Sequence, residues 1–159
     1  MSTRITKIYV DMDGVLTDFN KRYRELFGVS ASDRTNFEEN FRSLIDGGHF
    51  ATLETLVGFA TLKSYLDSLP VDKCILSSTG RKDKHIAVSI QKMQWLTDKE
   101  IQWPKIFVPG KHLKKQYANS NSIIIDDTES VINDWNEAGG IGILHVNTKT
   151  TIETLKKYI

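Results

Sequence analysis

The sequence is poor in the residues that mark several classes of protein. Its 159 residues include one cysteine and three prolines. A single cysteine excludes a framework of internal disulfides and is typical of a reducing compartment. Cys74 lies in an apolar run, so we interpret it as a core residue. No apolar run approaches the roughly 20 residues of a transmembrane helix, and the N-terminus has no hydrophobic signal segment. We therefore expect a cytoplasmic protein with no membrane partner.

An excess of charge of one sign is also missing. The chain has 21 Lys and Arg against 20 Asp and Glu, a net charge of +1. With no basic stripe, the sequence argues against a nucleic-acid polymer as partner. The content of 40% hydrophobic and 26% charged residues is ordinary for a globular protein. We predict a single domain over residues 1–159, and a homodimer is compatible with this composition.

What the sequence does contain is a set of apolar runs that end in polar residues. The runs are partly β-branched, which predicts buried strands. In a parallel sheet, the carboxyl ends of the strands meet at one edge, where α/β proteins bind ligands. Two of the runs, 8–10 and 122–125, end in acids and a third, 74–76, ends in hydroxyls: Asp11, Asp13, Asp126, Asp127, Ser77, Ser78 and Thr79.

The rest of the chain alternates between strand and helix patterns. This alternation predicts an α/β fold, a Rossmann-like parallel sheet flanked by helices. A helix is predicted over 81–96 with Ile86, Ile90 and Met93 facing inward. Helical patterns over 19–59, with a further helical turn over 53–60 at their end, are longer than a plain crossover needs. We predict that 19–59 forms a small helical cap inserted after the first strand and placed over the acids.

These motifs resemble those of the haloacid dehalogenase superfamily of aspartate-nucleophile phosphatases. The first motif is similar to Asp11-Met-Asp13-Gly-Val-Leu-Thr-Asp18-Phe19, the second to Ser77, the third to a lysine within 111–115 and the fourth to Asp126-Asp127. The motif order matches, and the resemblance covers nearly the whole chain. The form of the first motif, with a compact insertion after it, is most similar to the 5'(3')-deoxyribonucleotidase branch.

The acids predict phosphoryl-transfer chemistry, and the resemblance implies the same roles. Asp11 is the candidate nucleophile that forms an aspartyl-phosphate. Asp13 is placed to protonate the leaving oxygen and then to activate water. Carboxylates this close together predict a cation, and Mg²⁺ prefers oxygen ligands. Its predicted ligands are Asp11, the backbone carbonyl of Asp13 and the Asp126-Asp127 pair. The resemblance implies that Asp127 binds directly and that Asp126 acts through water or hydrogen bonds.

Phosphate binding is predicted from hydroxyls and one lysine. Ser77 is expected to donate to a phosphate oxygen near the start of a helix, with Ser78 and Thr79 as alternatives in the same loop. A lysine is expected to neutralise the nucleophile and the phosphate. Lys114 is favoured because the family's Lys-x-x-Tyr-Ala-like pattern fits 114–118. Lys111 is the next candidate, since it opens the helix, and Lys115 is the third.

Substrate choice is predicted to depend on the insertion, because the core loops contact only phosphate and metal. Aromatic side chains there are available to stack on a nucleobase, although aromatics at helical spacing are usually core. The resemblance implies a Mg²⁺-dependent phosphomonoesterase for deoxynucleoside monophosphates. The alternatives are another small phosphoester, such as a sugar phosphate, and a non-catalytic binder of a phospho-ligand. The aromatic candidates are Phe19, Phe37, Phe41 and Phe50, whereas Trp95, Trp103 and Trp135 are assigned to packing.

Overall fold

A computed structural model describes residues 4–159, so the first three residues of the predicted domain lie outside the described part. Five strands form one sheet, and every pairing is parallel. Their order is β3-β2-β1-β4-β5, which confirms the predicted α/β sheet. The strands are β1 (Lys7–Val10), β2 (Asp72–Ser78), β3 (Lys105–Val108), β4 (Ser122–Asp126) and β5 (Ile141–Leu144).

Helices cover the sheet and form the segment between β1 and β2. The α-helices are α1 (Phe19–Phe27), α2 (Phe37–Asp46), α3 (Phe59–Ser68), α4 (His85–Asp98), α5 (Glu129–Glu137) and α6 (Thr148–Leu155). Short 3₁₀ helices span His49–Ala51, Lys82–Lys84 and Lys111–Tyr117. No helix in the described part of the chain is both long and apolar enough to cross a membrane.

The two strands that carry the acids lie side by side at the centre of the sheet. Val10 of β1 pairs with Ile125 of β4, so the residues that follow them are neighbours in space. Both strands are buried because helices cover both faces of a parallel sheet. Asp11 extends this pairing, since its N–H donates to the carbonyl of Ile125 at 3.0 Å. The central position therefore brings acids more than a hundred residues apart into contact.

The predicted cap over 19–59 contains α1, α2 and the 3₁₀ helix His49–Ala51. Its phenylalanines pack on one another; the rings of Phe19 and Phe50, for example, stack at 5.8 Å. The helical turn expected over 53–60 is wrong. Thr55 pairs with Thr17 as an isolated bridge, and helix α3 begins only at Phe59. This bridge joins the extended segment at the end of the insertion to the loop after β1.

The predicted inward face of α4 is also wrong. Ile86 and Ile90 are 75% and 64% exposed. The buried face instead carries Val88, Lys92 and Trp95. Residues 86, 90 and 93 have the same helical spacing as 88, 92 and 95, so periodicity alone does not choose between the two faces. Because Lys92 lies on the buried face, that face looks polar in the sequence, and the apolar pattern does not predict that it packs against the core.

The remaining assignments to the core agree with the structure. Cys74 is buried in β2, as expected of a packing residue. Trp95, Trp103 and Trp135 are all buried. The indole N–H of Trp95 donates to the carbonyl of Leu53 at 2.7 Å and so joins α4 to the insertion. Trp135 packs edge-on against Tyr9 of the central strand, with ring centres 5.3 Å apart, so it joins α5 to the sheet.

Candidate active site

A cavity of about 360 Å³ lies beyond the carboxyl ends of β1, β2 and β4. Ligand sites of open α/β sheets lie in this position. Acidic and basic side chains line the cavity on the side of the sheet, and residues of the insertion line it on the opposite side. Residues from the strand ends, from α4 and from the insertion line it, among them Asp11, Asp13, Gly14, Phe19, Phe37, Phe41, Phe50, Ser78, Thr79, Gly80, Lys92, Lys111, Lys114 and Asp127.

Three of the predicted acids converge in this cavity. One carboxylate oxygen from each of Asp11, Asp126 and Asp127 lies within 4.8 Å of the others. Asp126 is fully buried and Asp11 is 7% exposed, whereas Asp127 is exposed as a residue although it lines the cavity. Three carboxylates at this distance repel one another unless a cation lies between or beside them.

The repulsion shows in the titration of the acids. Burial, together with the charge of Asp126, raises the pKa of Asp11 well above its ordinary value. Partial desolvation at the cavity wall, together with the same charge, raises the pKa of Asp127 to about 6. Without a cation, these carboxylates hold protons more tightly than free aspartates do. A bound divalent ion would take the place of those protons.

Lys114 supplies one buried positive charge. It is 3% exposed, and its Nζ donates to Asp11 Oδ1 at 3.0 Å and to Asp126 Oδ2 at 2.7 Å. Burial lowers the pKa of Lys114, but the two carboxylates more than compensate, so its pKa is raised and the ammonium stays charged. Lys111 lines the cavity from an exposed position, and Lys115 is exposed and does not line it. Of the three candidate lysines, Lys114 alone contacts the acids.

The Asp126-Asp127 pair divides its contacts in a way that fits the implied metal. Both oxygens of Asp126 already accept hydrogen bonds, Oδ1 from the N–H of Thr128 at 2.9 Å and Oδ2 from Lys114. Asp127 keeps a carboxylate at the cavity wall. The donor set is entirely oxygen, which suits a hard cation such as Mg²⁺. These residues therefore fit a magnesium site with Asp11 and Asp127 as direct ligands and Asp126 behind them.

Asp13 faces a different part of the site from the other acids. Its Oδ1 accepts from the hydroxyl of Thr17 at 2.7 Å, and its Oδ2 accepts from Lys92 Nζ at 3.2 Å. Asp13 also lines the cavity. Its side chain thus lies outside the cluster of Asp11, Asp126 and Asp127. This separation suits the role predicted for Asp13, in which its side chain moves protons and its backbone carbonyl faces the metal.

The hydroxyls after β2 are arranged differently from the prediction. Ser77 is fully buried, and its Oγ accepts from Lys92 Nζ at 2.6 Å instead of lining the cavity. Ser78 and Thr79, the alternatives in the same loop, line the cavity together with Gly80. The structure therefore places Ser77 behind the cavity wall. Residues 78–80 are therefore the part of this loop that a ligand in the cavity would meet.

Lys92 is the residue of this site that sequence reasoning missed. It is 2% exposed, lines the cavity, and contacts both Asp13 and Ser77. A signal was present: Lys92 shares a helical face with Val88 and Trp95, and a lysine within an apolar stripe is rarely buried without a partner. Because the apolar pattern of 86, 90 and 93 favours the opposite face of the helix, that signal is hard to read in the sequence.

An aromatic wall closes the cavity on the side of the insertion. Phe19, Phe37, Phe41 and Phe50 all line it, so the insertion presents more aromatic surface to the cavity than the sequence pattern suggested. The rings of Phe37 and Phe41 stack at 5.9 Å. Arg34 covers the outer ring, with its guanidinium carbon 4.0 Å from the ring centre of Phe37. The wall thus places aromatic rings beside the acids of the cavity.

Gly14 leaves room for the acids, and substituting it is expected to disturb them. It has a φ of +83°, and a Cβ there would lie 1.9 Å from Asp127 Oδ2. We expect Gly14→Ala to weaken divalent-cation binding at these acids, with loss of most of any activity that depends on the cation, and to cost about 1–2 kcal/mol of stability. Gly139→Ala is the control, since Gly139 has a φ of +96° with open space where a Cβ would lie. Equal activity of the two variants would contradict this expectation.

The fold of the chain is similar to that of several solved hydrolases. No protein-family model matches the chain, and no curated protein matches it in sequence. A Had-superfamily hydrolase from Ehrlichia chaffeensis superposes with a TM-score of 0.61 at 12% identity, covering 99% of each chain. A hydrolase from Streptococcus pneumoniae gives 0.59 at 15% identity, covering 97% of this chain and all of its own.

One further similar structure has a more specific name. It is the D,D-heptose 1,7-bisphosphate phosphatase of Burkholderia thailandensis, with a TM-score of 0.51 at 9% identity over 94% of this chain and 98% of that one. At such identities the likeness establishes the fold alone. The position of the cavity at the carboxyl edge of the sheet then agrees with where folds of this kind bind ligands.

Proposed function

We propose that this protein is a Mg²⁺-dependent phosphomonoesterase that works through an aspartyl-phosphate on Asp11. The observation that carries the proposal is the set of charged side chains around Asp11, namely Lys114 and the acids Asp126 and Asp127. Asp11 lies in a cavity, 3.0 Å from the ammonium of Lys114 and two residues from a second acid, Asp13. A non-catalytic phospho-ligand binder would need neither a nucleophile nor a proton donor beside its phosphate.

The chain's own residues account for each proton and bond. A carboxylate oxygen of Asp11 attacks phosphorus, and the bond to the leaving oxygen breaks with its electron pair staying on that oxygen. Asp13, in its protonated form, gives its proton to the leaving oxygen. Water then attacks the phosphorus of the aspartyl-phosphate, and Asp13 takes back a proton from that water. Asp11 is released as a carboxylate together with inorganic phosphate.

Charge neutralisation comes from Lys114 and from the metal. Lys114 lies against the attacking carboxylate and stays charged, so it offsets negative charge that builds up during transfer. Mg²⁺, when bound by Asp11 and Asp127 with the carbonyl of Asp13, supplies Lewis-acid polarisation of the phosphoryl oxygens. Ser78, Thr79 and Gly80 line the cavity at the carboxyl end of β2, from which we expect contacts to those oxygens.

We further propose that the substrate is a nucleoside monophosphate, with deoxynucleotides preferred. The support is the aromatic wall, because phenylalanine rings offer a nucleobase a flat stacking surface. A volume of about 360 Å³ lies at the lower end of small-molecule sites and suits one nucleotide rather than a polymer. The resemblance of the first motif to deoxyribonucleotidases points the same way. Sugar phosphates are the rival class, since one structural neighbour is named for a heptose bisphosphate.

A phosphate-release screen tests both parts of this proposal. Deoxynucleoside monophosphates, ribonucleoside monophosphates and sugar phosphates are compared with Mg²⁺ and with a chelator. Turnover of nucleotides above sugar phosphates, and only with Mg²⁺, is the expected result. Preference for sugar phosphates would leave the phosphomonoesterase but remove the nucleotide. Absence of turnover across all three classes would contradict the enzyme itself.

Phe37→Ala is expected to lower kcat/KM for deoxynucleotides by about tenfold and to leave sugar phosphates almost unchanged. Stacking of one base on an aromatic ring is worth roughly 1–3 kcal/mol. Phe37 suits this test because it is partly exposed in the wall, whereas Phe41 is buried in the core and its truncation would also cost stability. The measurement is steady-state kinetics on both substrate classes.

Phe27→Ala is the matched control for this variant. Phe27 is a partly buried aromatic of the same insertion that packs edge-on against Tyr23, with ring centres 4.8 Å apart, and does not line the cavity. Its truncation is expected to leave the substrate ranking as it is in the wild type. If Phe37→Ala and Phe27→Ala change the ranking equally, or not at all, the aromatic wall does not select the base.

A further inference from the structure

Lys92 is a buried cation whose hydrogen-bond donors are all used inside the protein. Its Nζ donates to Ser77 Oγ at 2.6 Å, to the carbonyl of Ser78 at 2.8 Å and to Asp13 Oδ2 at 3.2 Å. An ammonium group has three donors, so this set leaves none for a substrate. By hydrogen bonding, Lys92 therefore acts on a reaction in the cavity only through the groups that it holds.

Of the three groups that Lys92 contacts, Asp13 is the one that we propose to transfer protons, and it lines the cavity. Its two oxygens are held from two sides, Oδ1 by the fully buried Thr17 and Oδ2 by Lys92. Two fixed donors restrict rotation of a carboxylate about its last side-chain bond. Proton transfer needs a donor within hydrogen-bond reach and in line with the acceptor, so this restriction bears directly on catalysis.

The ammonium is itself held by two rigid elements. Lys92 extends from α4, while Ser77 and Ser78 end β2. The ring of Phe50, from the insertion, lies 5.7 Å from the same nitrogen. Through Lys92, the Asp13 side chain is therefore linked both to β2 and to α4. A buried charge of this kind is expensive unless it is fully paired, and here all three of its partners are oxygen atoms.

We propose that Lys92 is a positioning residue that holds the Asp13 carboxyl group where it passes its proton to the leaving oxygen. The inference rests on the phosphomonoesterase function proposed above and adds a residue that none of the matched motifs contains. In the step concerned, the bond from phosphorus to the leaving oxygen breaks, its electron pair stays on that oxygen, and the proton moves from Asp13 to it. Ser77 takes part as the anchor of Lys92.

The test compares two leaving groups in the Lys92→Met variant. An alkyl phosphate needs its leaving oxygen protonated, whereas p-nitrophenyl phosphate releases a stable phenolate without that proton. We expect the ratio of kcat/KM for the alkyl ester to that for the aryl ester to fall at least about tenfold, since general acid catalysis contributes about 10²–10⁴-fold. The ratio does not depend on the fraction of folded enzyme, so partial loss of folding leaves the test valid.

Two further variants separate positioning from simple loss of charge. Ser77→Ala is expected to lower the same ratio by a smaller factor, because Lys92 keeps the carbonyl of Ser78 as an anchor. Lys82→Met removes an exposed charge from the turn before α4 and is expected to leave the ratio unchanged. Met is close to Lys in volume, but the substitution leaves Asp13 and the buried Ser77 without this partner, so the melting temperature of Lys92→Met is expected to fall.

Several results would overturn the inference. Equal losses for the alkyl and aryl esters leave the ratio unchanged; this result would remove Lys92 from the proton step and make it a general electrostatic contributor. A crystal structure of Lys92→Met with the Asp13 carboxylate in its original position would overturn the positioning role whatever the activity. If the wild type hydrolyses neither ester nor any substrate in the screen, it is the proposed function that fails, and the crystal structure still decides on Lys92.

Discussion

Asp11→Asn is expected to abolish turnover without unfolding the protein. The amide is nearly the same size as the carboxylate but is a poor nucleophile and a weaker metal ligand. Loss of a covalent nucleophile costs on the order of 10⁴-fold or more in kcat. Stability is expected to hold or rise, because burial and the charge of Asp126 already raise the pKa of Asp11 and the neutral amide removes that repulsion. Lys114 keeps Asp126 as its partner.

The measurements are kcat on the best substrate from the screen and thermal unfolding of the same sample. Asp98→Asn, an exposed acid at the end of α4, is the control and is expected to keep full activity. Wild-type enzyme quenched during turnover is expected to carry phosphate that hydroxylamine releases, as acyl phosphates do, and Asp11→Asn is expected to carry none. Activity of Asp11→Asn near the wild-type rate would remove Asp11 from the mechanism.

Removal of Mg²⁺ is expected to have an effect of similar size. Activity is expected to vanish in a chelator and to be suppressed by excess Ca²⁺, which binds at longer distances with more ligands and would misalign the attacking carboxylate. Mg²⁺ at about 100 times its dissociation constant is expected to stabilise the fold by about 2.7 kcal/mol. Full activity in the chelator would contradict the metal assignment.

The stabilisation by Mg²⁺ is expected to depend on pH. In the metal-free protein the pKa of Asp127 is raised to about 6 from an ordinary value of 3.8, so its protonated form stabilises the fold at low pH. That contribution is lost as the pH rises through about 6. Because Mg²⁺ competes with this proton, the shift in melting temperature between Mg²⁺ and chelator should grow from about pH 5 to about pH 7.5. Asp127→Asn should remove most of this pH dependence.

The sheet, and the edge of it at which the acids converge, follow from the amino-acid sequence. The apolar runs that end in Asp11 and in Asp126 are buried strands, because a parallel sheet covered on both faces needs uninterrupted apolar residues. Strands joined by helices run parallel, so their carboxyl ends meet at one edge. The convergence of acids and hydroxyls on one edge followed from these two facts without any knowledge of the contacts.

Neighbouring residues of the same chemistry are harder to tell apart from the sequence. Lys111, Lys114 and Lys115 are close in sequence and identical in chemistry; the resemblance favours Lys114, and the structure shows that Lys114 is the buried one. The hydroxyls after β2 present the same difficulty. Whether Ser77 or Ser78 lines the cavity depends on how the chain turns at the end of the strand, and local sequence does not specify that turn.

The tertiary structure alone decided the orientation of α4 and with it the place of Lys92. Residues 86, 90 and 93 and residues 88, 92 and 95 lie on different faces of one helix with the same spacing, so the periodicity of the sequence fits both. The face of α4 that carries Trp95 packs against the core, and the indole N–H of Trp95 donates to the carbonyl of Leu53. Burial of Lys92 then became favourable because oxygens from β2 and from Asp13 surround its ammonium. That compensation comes from residues distant in sequence, which no local pattern contains.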